Sequence, residues 1–546
     1  MGLFQEFLAK ETPPVNPLIM NGVGQAVMQR PEDYLHNVFT NLKGFPVGLR
    51  YLGCRRCTPA EEFAEATRIK NNKRTADISQ SDVYLVRFMF EFEGQRLPDR
   101  FFYLPIIGEA GTFHLSGTMY HVAPVISDKV ISPGQSSVFV RVLRDRNSFY
   151  RCYHSITVDN VRMTTHVIWA SLYRRSQSAK KLPPTTKANT CNVHYLLAKY
   201  GFSETFSRYT GCIPKAGGAE INPDTFPESD WVIVESTKIQ PKTSKDKFYK
   251  ATDIRLAIPR HMWNDTVREF CAGFFYVVDH FSTQITLPFL ETKEHWMMTL
   301  GSIIFSGNHS HSKLIQEIRD HLVSLDDCMD SIAIDKLKER DIYVETYYDL
   351  LAVIVKSFNH MVLEDDSNNL NMYLKNLDVV YYMLYDITSS MITCMFELNK
   401  ILQKRGKLLF QDVKTTMSMK INPGPIYKLT DGRIVAETVS YSGDHKYLKI
   451  TSKAAMQEAT GNGSREKKGR MVISEANHLD VSMIATGSIL FLGKSNPSPT
   501  NRLNPYVKFD LKTGNFIKDP ALEAILAETE KAFKTFHLPG RAIENK

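Results

Sequence analysis

The periodicity of this chain changes twice, and that change constrains its fold more than any other feature. In residues 83–92, VYLVRFMFEF, Phe88, Phe90 and Phe92 alternate with Arg87, Met89 and Glu91, the period-two signature of a strand with one buried face. A turn around Gly94 leads to RFFYLPII as a second strand, and apolar alternation at 137–144 and 164–173 predicts that the first 175 or so residues are mainly sheet. Residues 208–250 read as loop. From about Pro259 the apolar residues recur at i, i+3 and i+4 over 262–280, 313–338, 341–362 and 376–404, the spacing of amphipathic helices. After Gly406 strands are expected again, with an Asp431-Gly432 hairpin, a turn at 512–515 and a closing helix over 520–536. Sheet, helices, sheet reads as an α+β, multidomain chain in which a mainly helical insertion interrupts a β-rich domain. A length of 546 residues fits roughly three to four domains.

Charge is informative through its distribution. The balance of 67 Lys+Arg against 59 Asp+Glu is only mildly basic, at +8. Yet no acidic residue occurs from Asn160 to Ser203, a stretch that holds Arg162, Arg174, Arg175, Lys180, Lys181, Lys187 and Lys199. A second run contains Arg465, Lys467, Lys468 and Arg470 among glycines. Phosphate neutralisation needs local excess of this kind, although a solvated face has the same composition. The eight scattered cysteines read as reduced thiols in an intracellular protein. No signal peptide and no apolar run of about 18 residues is apparent, so a soluble protein without membrane association is expected.

No self-sufficient active site emerges. Cys54-Arg-Arg-Cys57 is a lone CxxC without the further ligands that zinc requires, and reads as two ordinary thiols. Asn308-His-Ser-His311 reads as a polar turn, and Asp326, Asp327 and Asp330 as an exposed acidic helix face. The Tyr and Met residues of 381–395 have the spacing of a helix core. Gly487 to Lys494-Ser495 has one residue too many for a phosphate-binding loop. Asn496-Pro-Ser-Pro499 would also break the helix such a loop must open. No Asp-x-Asp-x-Asp cluster is present to chelate the metal ions of nucleotidyl transfer.

One ordered set of motifs carries a resemblance. Leu104-Pro-Ile-Ile-Gly-Glu-Ala-Gly-Thr-Phe-His-Leu-Ser-Gly-Thr118 is followed by Val122, Val125 and Ser132-Pro-Gly134. This resembles the β-subunit segment of multisubunit DNA-dependent RNA polymerases in which Leu-Pro precedes Gly-Thr-Phe-x-Ile-x-Gly-x-Glu-Arg-Val and then Ser-Pro-Gly. Met119-Tyr120 stands where the family has Glu-Arg. Gly111 and Gly117 are expected at turns bracketing a strand. Arg174-Arg175, Lys181-Leu-Pro183 with Thr185, and Gly201-Phe-Ser203 are similar to the family's Arg-Arg-Arg-Lys-Leu-Pro-x-Thr stretch and its following helix. Ala459-Thr-Gly-Asn462 resembles the Ala-Thr-Gly-Asn of second-largest subunits, and Val472–Leu479 resembles the fork segment. There Ile484-Ala-Thr-Gly487 replaces His-x-Arg-Arg. Taken together, these segments resemble the N-terminal half of β in the split form encoded by giant bacteriophages.

The resemblance implies a protrusion-like first part over 1–165 and a lobe-like, largely helical insertion over 166–405. A protrusion-like return with a basic fork loop would cover 406–470, and a fork segment with a terminal hairpin and helix 471–546. It implies a core polymerase subunit that lines one side of the DNA cleft and is not catalytic alone. No cofactor would be bound by this chain, and Mg²⁺ would sit on a β′-like subunit. Partners would be a C-terminal β half, β′-like chains, a promoter-specificity subunit, template DNA and RNA, in the cytoplasm of an infected bacterium or packaged in the virion. Arg465, Lys467, Lys468 and Arg470 would contact phosphate from the fork loop. Lys494 and Arg502 would lie near the hybrid, and Arg174, Arg175, Lys180 and Lys181 would face DNA from the lobe. The competing reading is a viral structural or scaffolding protein whose basic loops touch DNA.

Overall fold

A computed structural model describes residues 16–535 apart from 22–29, 43, 71–79, 109–110, 116, 123–124, 134–136, 143–145, 171, 173–189, 238–251, 306–309, 327–328, 330, 364–370, 379, 422–435, 439–448, 453–481, 487–499, 505 and 512. The chain mixes helix and strand and divides into two compact units. One is contiguous, 130–368; the other is assembled from 1–129 and 369–546.

In the discontinuous unit, the alternation at 83–92 becomes the strand Val83–Phe92, central to a four-stranded antiparallel sheet with Leu49–Arg56, Gln95–Arg96 and Arg100–Pro105. Its even-numbered side chains are buried beneath the helix Pro31–Asn41. Phe39 of that helix meets Phe88 edge-on at 5.4 Å between ring centroids and Tyr51 at 5.6 Å, the geometry that aromatic quadrupoles favour. A smaller three-stranded sheet joins Thr112–Leu115, Thr118–Val122 and Ala436–Thr438. A four-stranded sheet takes the order Lys375–Asp378, Val125–Asp128, Lys449–Ser452, Thr500–Arg502. Both sheets draw strands from opposite ends of the chain.

The contiguous unit is built on an eight-stranded sheet. In its long hairpin Arg146–Val158/Val161–Ala170, the free edge of Arg146–Val158 pairs first with Ser137–Arg141 and further along with Trp231–Ser236, which pairs in turn with Arg255–Pro259, while Thr190–Cys191 pairs with Val161–Ala170. Helices Asn192–Tyr200, Phe202–Thr210, Asp265–His280, Lys293–Ile304, His311–Asp326 and Tyr347–Leu363 share one core with it. Asn264 caps the helix Asp265–His280 by accepting the Val267 N–H at 3.0 Å, which satisfies one of the otherwise orphaned first-turn donors. Gly273 lets that helix approach Val193 more closely than a Cβ would permit. His194 is fully buried. Its Nε2 donates to the Trp296 carbonyl at 3.1 Å, and burial pushes its pKa down to about 3, so it is a neutral core histidine.

Several elements differ from the sequence reading. The expected loop 208–250 contains the strand Trp231–Ser236. The expected helix 376–404 is preceded by the strand Lys375–Asp378, held by pairing with Val125–Asp128, and the helix itself is Val380–Arg405. Strands were expected after Gly406, yet Phe410–Lys420 is a helix, with only Val413 and Met417 buried. The contiguous unit is 130–368, in which the strands from 137 to 170 pack with the helices that follow them. The Asp431-Gly432 hairpin lies outside the described residues. Gly514, at φ +72°, turns the hairpin that joins Lys508–Phe509 to Phe516–Ile517.

Candidate nucleic-acid interface

Of the ten basic residues selected from sequence, Arg174, Arg175, Lys180, Lys181, Arg465, Lys467, Lys468, Arg470 and Lys494 lie outside the described residues. Arg502 ends the strand Thr500–Arg502, where its backbone pairs with Lys449. What is described is the frame from which the basic segments leave. Residues 453–481 depart from the strand Lys449–Ser452 and re-enter at the helix Ser482–Thr486. Residues 487–499 then lead into Thr500–Arg502. The frame is tied by backbone: the Asn504 N–H donates to the Thr486 carbonyl at 2.9 Å, and the Met372 N–H donates to Ser482 Oγ at 2.8 Å.

The segment 104–133 is part of the same unit up to Lys129. Gly111 and Gly117 both have left-handed φ, +71° and +81°, and bracket the strand Thr112–Leu115, as the glycine spacing predicts. Phe113 and Leu115 face inward. Between them His114 is bound to Asp82, whose carboxylate accepts the His114 N–H at 2.7 Å. Burial alone would raise the Asp82 pKa, but the hydrogen bonds from His114 outweigh it and hold the carboxyl below its ordinary value. Thr118–Val122, which carries Met119-Tyr120, pairs with both Thr112–Leu115 and Ala436–Thr438.

The remaining chemical candidates resolve into internal contacts. Cys54 and Cys57 are half-buried thiols. Burial raises Cys54 and pushes Cys57 up to about 11. The arginines between them are engaged: Arg55 forks onto Glu61, and Arg56 donates to Glu32 at 2.7 Å while lying 4.1 Å over the Tyr84 ring. Arg87 bridges Glu61 and Asp99. Asp326 is paired with Lys199, and Asp327 and Asp330 lie outside the described residues. His311 opens the helix His311–Asp326; Asn308 and His309 lie outside the described residues. Met391 and Met395 are buried in the helix Val380–Arg405. Among the described residues no group of three His, Cys, Asp or Glu could hold a metal ion, and no described helix is long and apolar enough to cross a membrane.

One basic and aromatic face was missed in the sequence reading. In the hairpin Arg146–Val158/Val161–Ala170, Tyr153 stands opposite His166, Ser155 opposite Thr164 and Thr157 opposite Arg162. Side chains two apart on a strand share a face, so Arg151, Tyr153 and Ser155 lie in one row. The acid-free stretch from Asn160 was the only sequence signal, and the register that assembles the face is not legible without the pairing.

Comparison with curated proteins finds no match for this chain. Residues 26–531 match the family model described as non-virion RNA polymerase subunit. That match covers the Gly-Thr-Phe hairpin, the contiguous unit 130–368 and the segments 453–481 and 487–499, and the chain belongs to the family of non-virion RNA polymerase subunits.

Proposed function

We propose that this polymerase subunit is the N-terminal part of a split β, forming one side of the DNA cleft and contacting the template and hybrid. The observation that carries the reading is where the motif-bearing segments meet. Thr118–Val122, next to Gly-Thr-Phe, pairs with Ala436–Thr438, and Val125–Asp128 pairs in parallel with Lys449–Ser452. The segment with Ala-Thr-Gly-Asn and the basic run thus starts from the strand beside the one that follows Gly-Thr-Phe. A β-rich unit interrupted between 129 and 369 is the organisation a protrusion with a lobe insertion would have. Phosphoryl transfer depends on positioned metal ions and charge. On this reading the Mg²⁺ ions belong to a β′-like chain, and this subunit contributes phosphate contacts from Arg465, Lys467, Lys468, Arg470, Lys494 and Arg502, with Arg174, Arg175, Lys180 and Lys181 from the lobe.

The test is purification of the tagged chain from infected cells, with identification of what travels with it. A Thr-Pro-Glu-Gly chain and an Asp-x-Asp-x-Asp chain are expected in equal amounts, with RNA synthesis by the complex and none by the chain alone. Robust synthesis by the stringently purified single chain, or a complex containing a second complete β, would overturn the assignment.

A further inference from the structure

The hairpin face of the contiguous unit carries an exposed ring and two guanidinium groups that form no ion pair among the described residues. Tyr153 is 62% exposed, and its ring lies 4.8 Å from that of His166, centroid to centroid, at 48°. A single exposed tyrosine needs no explanation. Here, however, it belongs to a row with Arg151 on its own strand, and across the hairpin lies Arg162, whose Nη2 donates to Ser155 Oγ at 3.4 Å. Ser155 and Thr164 hydroxyls meet at 3.2 Å between them. Among the described residues neither Arg151 nor Arg162 forms an ion pair. The carboxylates nearest by register are committed elsewhere: Asp159 is paired with Arg260 at 2.8 Å and Glu235, opposite Thr157, with Arg255 at 3.1 Å. From Arg146 to Ser203 the sequence has one acidic residue, Asp159. Burial, then the charges of Arg151 and Arg268, hold the His166 pKa below its ordinary value, so the ring beside Tyr153 is neutral near pH 7 and available as an apolar surface.

We propose that Arg151, Tyr153, Ser155, Arg162 and His166 form a binding face for single-stranded nucleic acid. A base would stack on Tyr153, with the flanking phosphates on the two guanidinium groups. Bases stack on aromatic side chains without regard to sequence, and a sheet surface with exposed rings between cations is suited to that mode. A duplex hides its base faces, so Tyr153 selects for an opened strand. Charge complementarity favours this occupant over an acidic-poor protein surface, because both free charges are positive and both flank the ring. The inference deepens the reading of the chain as a cleft subunit, and relies on it only for the expectation that opened strands are at hand.

The test uses the full chain and fluorescent 12-residue strands of deoxythymidine and of uridine, titrated in parallel. Removing the stacking ring in Tyr153→Ala is expected to weaken binding roughly tenfold or more, whereas Tyr153→Phe stays within about twofold. Arg151→Ala with Arg162→Ala is expected to lower the log–log salt slope by about 1.4, from about 0.7 per phosphate contact on a single strand. Strands carrying 5-iodouracil should photocrosslink within residues 146–166, and the stronger of the two arms identifies the strand as DNA or RNA. Thermal melts confirm that these surface variants fold. Three results would each overturn the proposal: a wild-type chain that binds neither strand, unchanged affinity and crosslinks in Tyr153→Ala, or variants that keep their strands but lose a co-purifying protein. The cleft-subunit reading would survive all three, since it fails only if the chain does not travel with the other polymerase chains.

Discussion

Asp82 and His114 hold each other by three hydrogen bonds. The Asp82 carboxylate accepts the His114 N–H at 2.7 Å and lies 2.7 Å from its Nδ1, while the Asp82 N–H donates to the His114 carbonyl at 2.8 Å. The strand of the Gly-Thr-Phe segment is thereby tied to the start of Val83–Phe92. Asp82→Ala leaves the backbone donor of His114 without its partner and is expected to cost about 1–3 kcal/mol, while Asp82→Asn keeps an acceptor and costs less. Because the folded-state pKa is depressed, the contribution of the carboxylate is present above the ordinary value of 3.8 and is lost as pH falls through the folded value. Urea melts at pH 7 and pH 3 should show the gap between wild type and Asp82→Asn narrowing in acid.

Glu269 gives the opposite pH dependence. It is buried in the helix Asp265–His280, where Asn359 Nδ2 donates to it at 3.4 Å. Its Oε2 and the Asn359 Oδ1 have no partner among the described residues. Burial pushes its pKa up from 4.5 to about 7. The folded state therefore holds the proton more tightly than the unfolded state. This stabilisation is full below about pH 4.5 and is lost as pH rises through about 7, a change on the order of 3 kcal/mol. Glu269→Gln, uncharged at every pH, should melt like wild type at pH 5 and be the more stable protein at pH 8.

Gly514 and Gly94 separate backbone strain from steric exclusion. Both have left-handed φ, +72° and +78°. A Cβ at Gly94 would meet nothing within 4 Å, whereas at Gly514 it would collide with the Leu377 carbonyl. Gly94→Ala should cost about 1–2 kcal/mol, from its conformation alone. Gly514→Ala should cost clearly more, because the clash falls on backbone whose N–H already donates to the Gly514 carbonyl at 2.7 Å. Comparing Tm for the two variants checks this, and equal losses would count against the tight approach.

Replacing Arg465, Lys467, Lys468 and Arg470 together by alanine should weaken retention of duplex DNA by the assembled enzyme. The log–log salt slope should fall by about 0.9 for each phosphate left without its cation. On the reading of this glycine-rich run as a solvated loop, stability should move by no more than roughly 0.5 kcal/mol per site. A wild-type slope in the variant enzyme would remove this run from the interface.

Much of the fold was legible wherever one face alone decides the structure. Phe88, Phe90 and Phe92 mark the strand Val83–Phe92 because burial on a single side imposes alternation, and Gly111 and Gly117 mark its neighbour's turns because few other residues accept their φ. Lys375–Asp378, sequence KNLD, has no strand propensity of its own. It is extended because Val125–Asp128 supplies its hydrogen bonds, a partner some 250 residues away. Phe410–Lys420 escaped notice for a related reason: with two buried residues it has too narrow an apolar stripe to read as a helix. Trp231–Ser236 should have been found, since WVIVES is an apolar β-branched run that the surrounding polar loop obscured. The face around Tyr153 depends on which residue stands opposite which, a property of the pairing and not of either strand. The resemblance to RNA polymerase subunits was legible for another reason: it rests on the order and spacing of glycines and prolines, which need no local periodicity to be read.

The parallel pairing of Val125–Asp128 with Lys449–Ser452 also sets a timetable for synthesis. The later strand is translated about 320 residues after the earlier one, a delay of roughly 15–65 s at ~5–20 residues per second. The unit 130–368 is contiguous and is made entirely within that interval. On the ribosome, then, the second unit to begin is the first that can finish. Until the second half of its sheets emerges, the nascent chain carries Thr118–Val122 and Val125–Asp128 without their distal partners. Unpaired edges of this kind invite pairing with other chains. A slower ribosome lengthens that exposure in direct proportion, so the yield of soluble subunit should depend on translation speed and on chaperones that bind nascent strands.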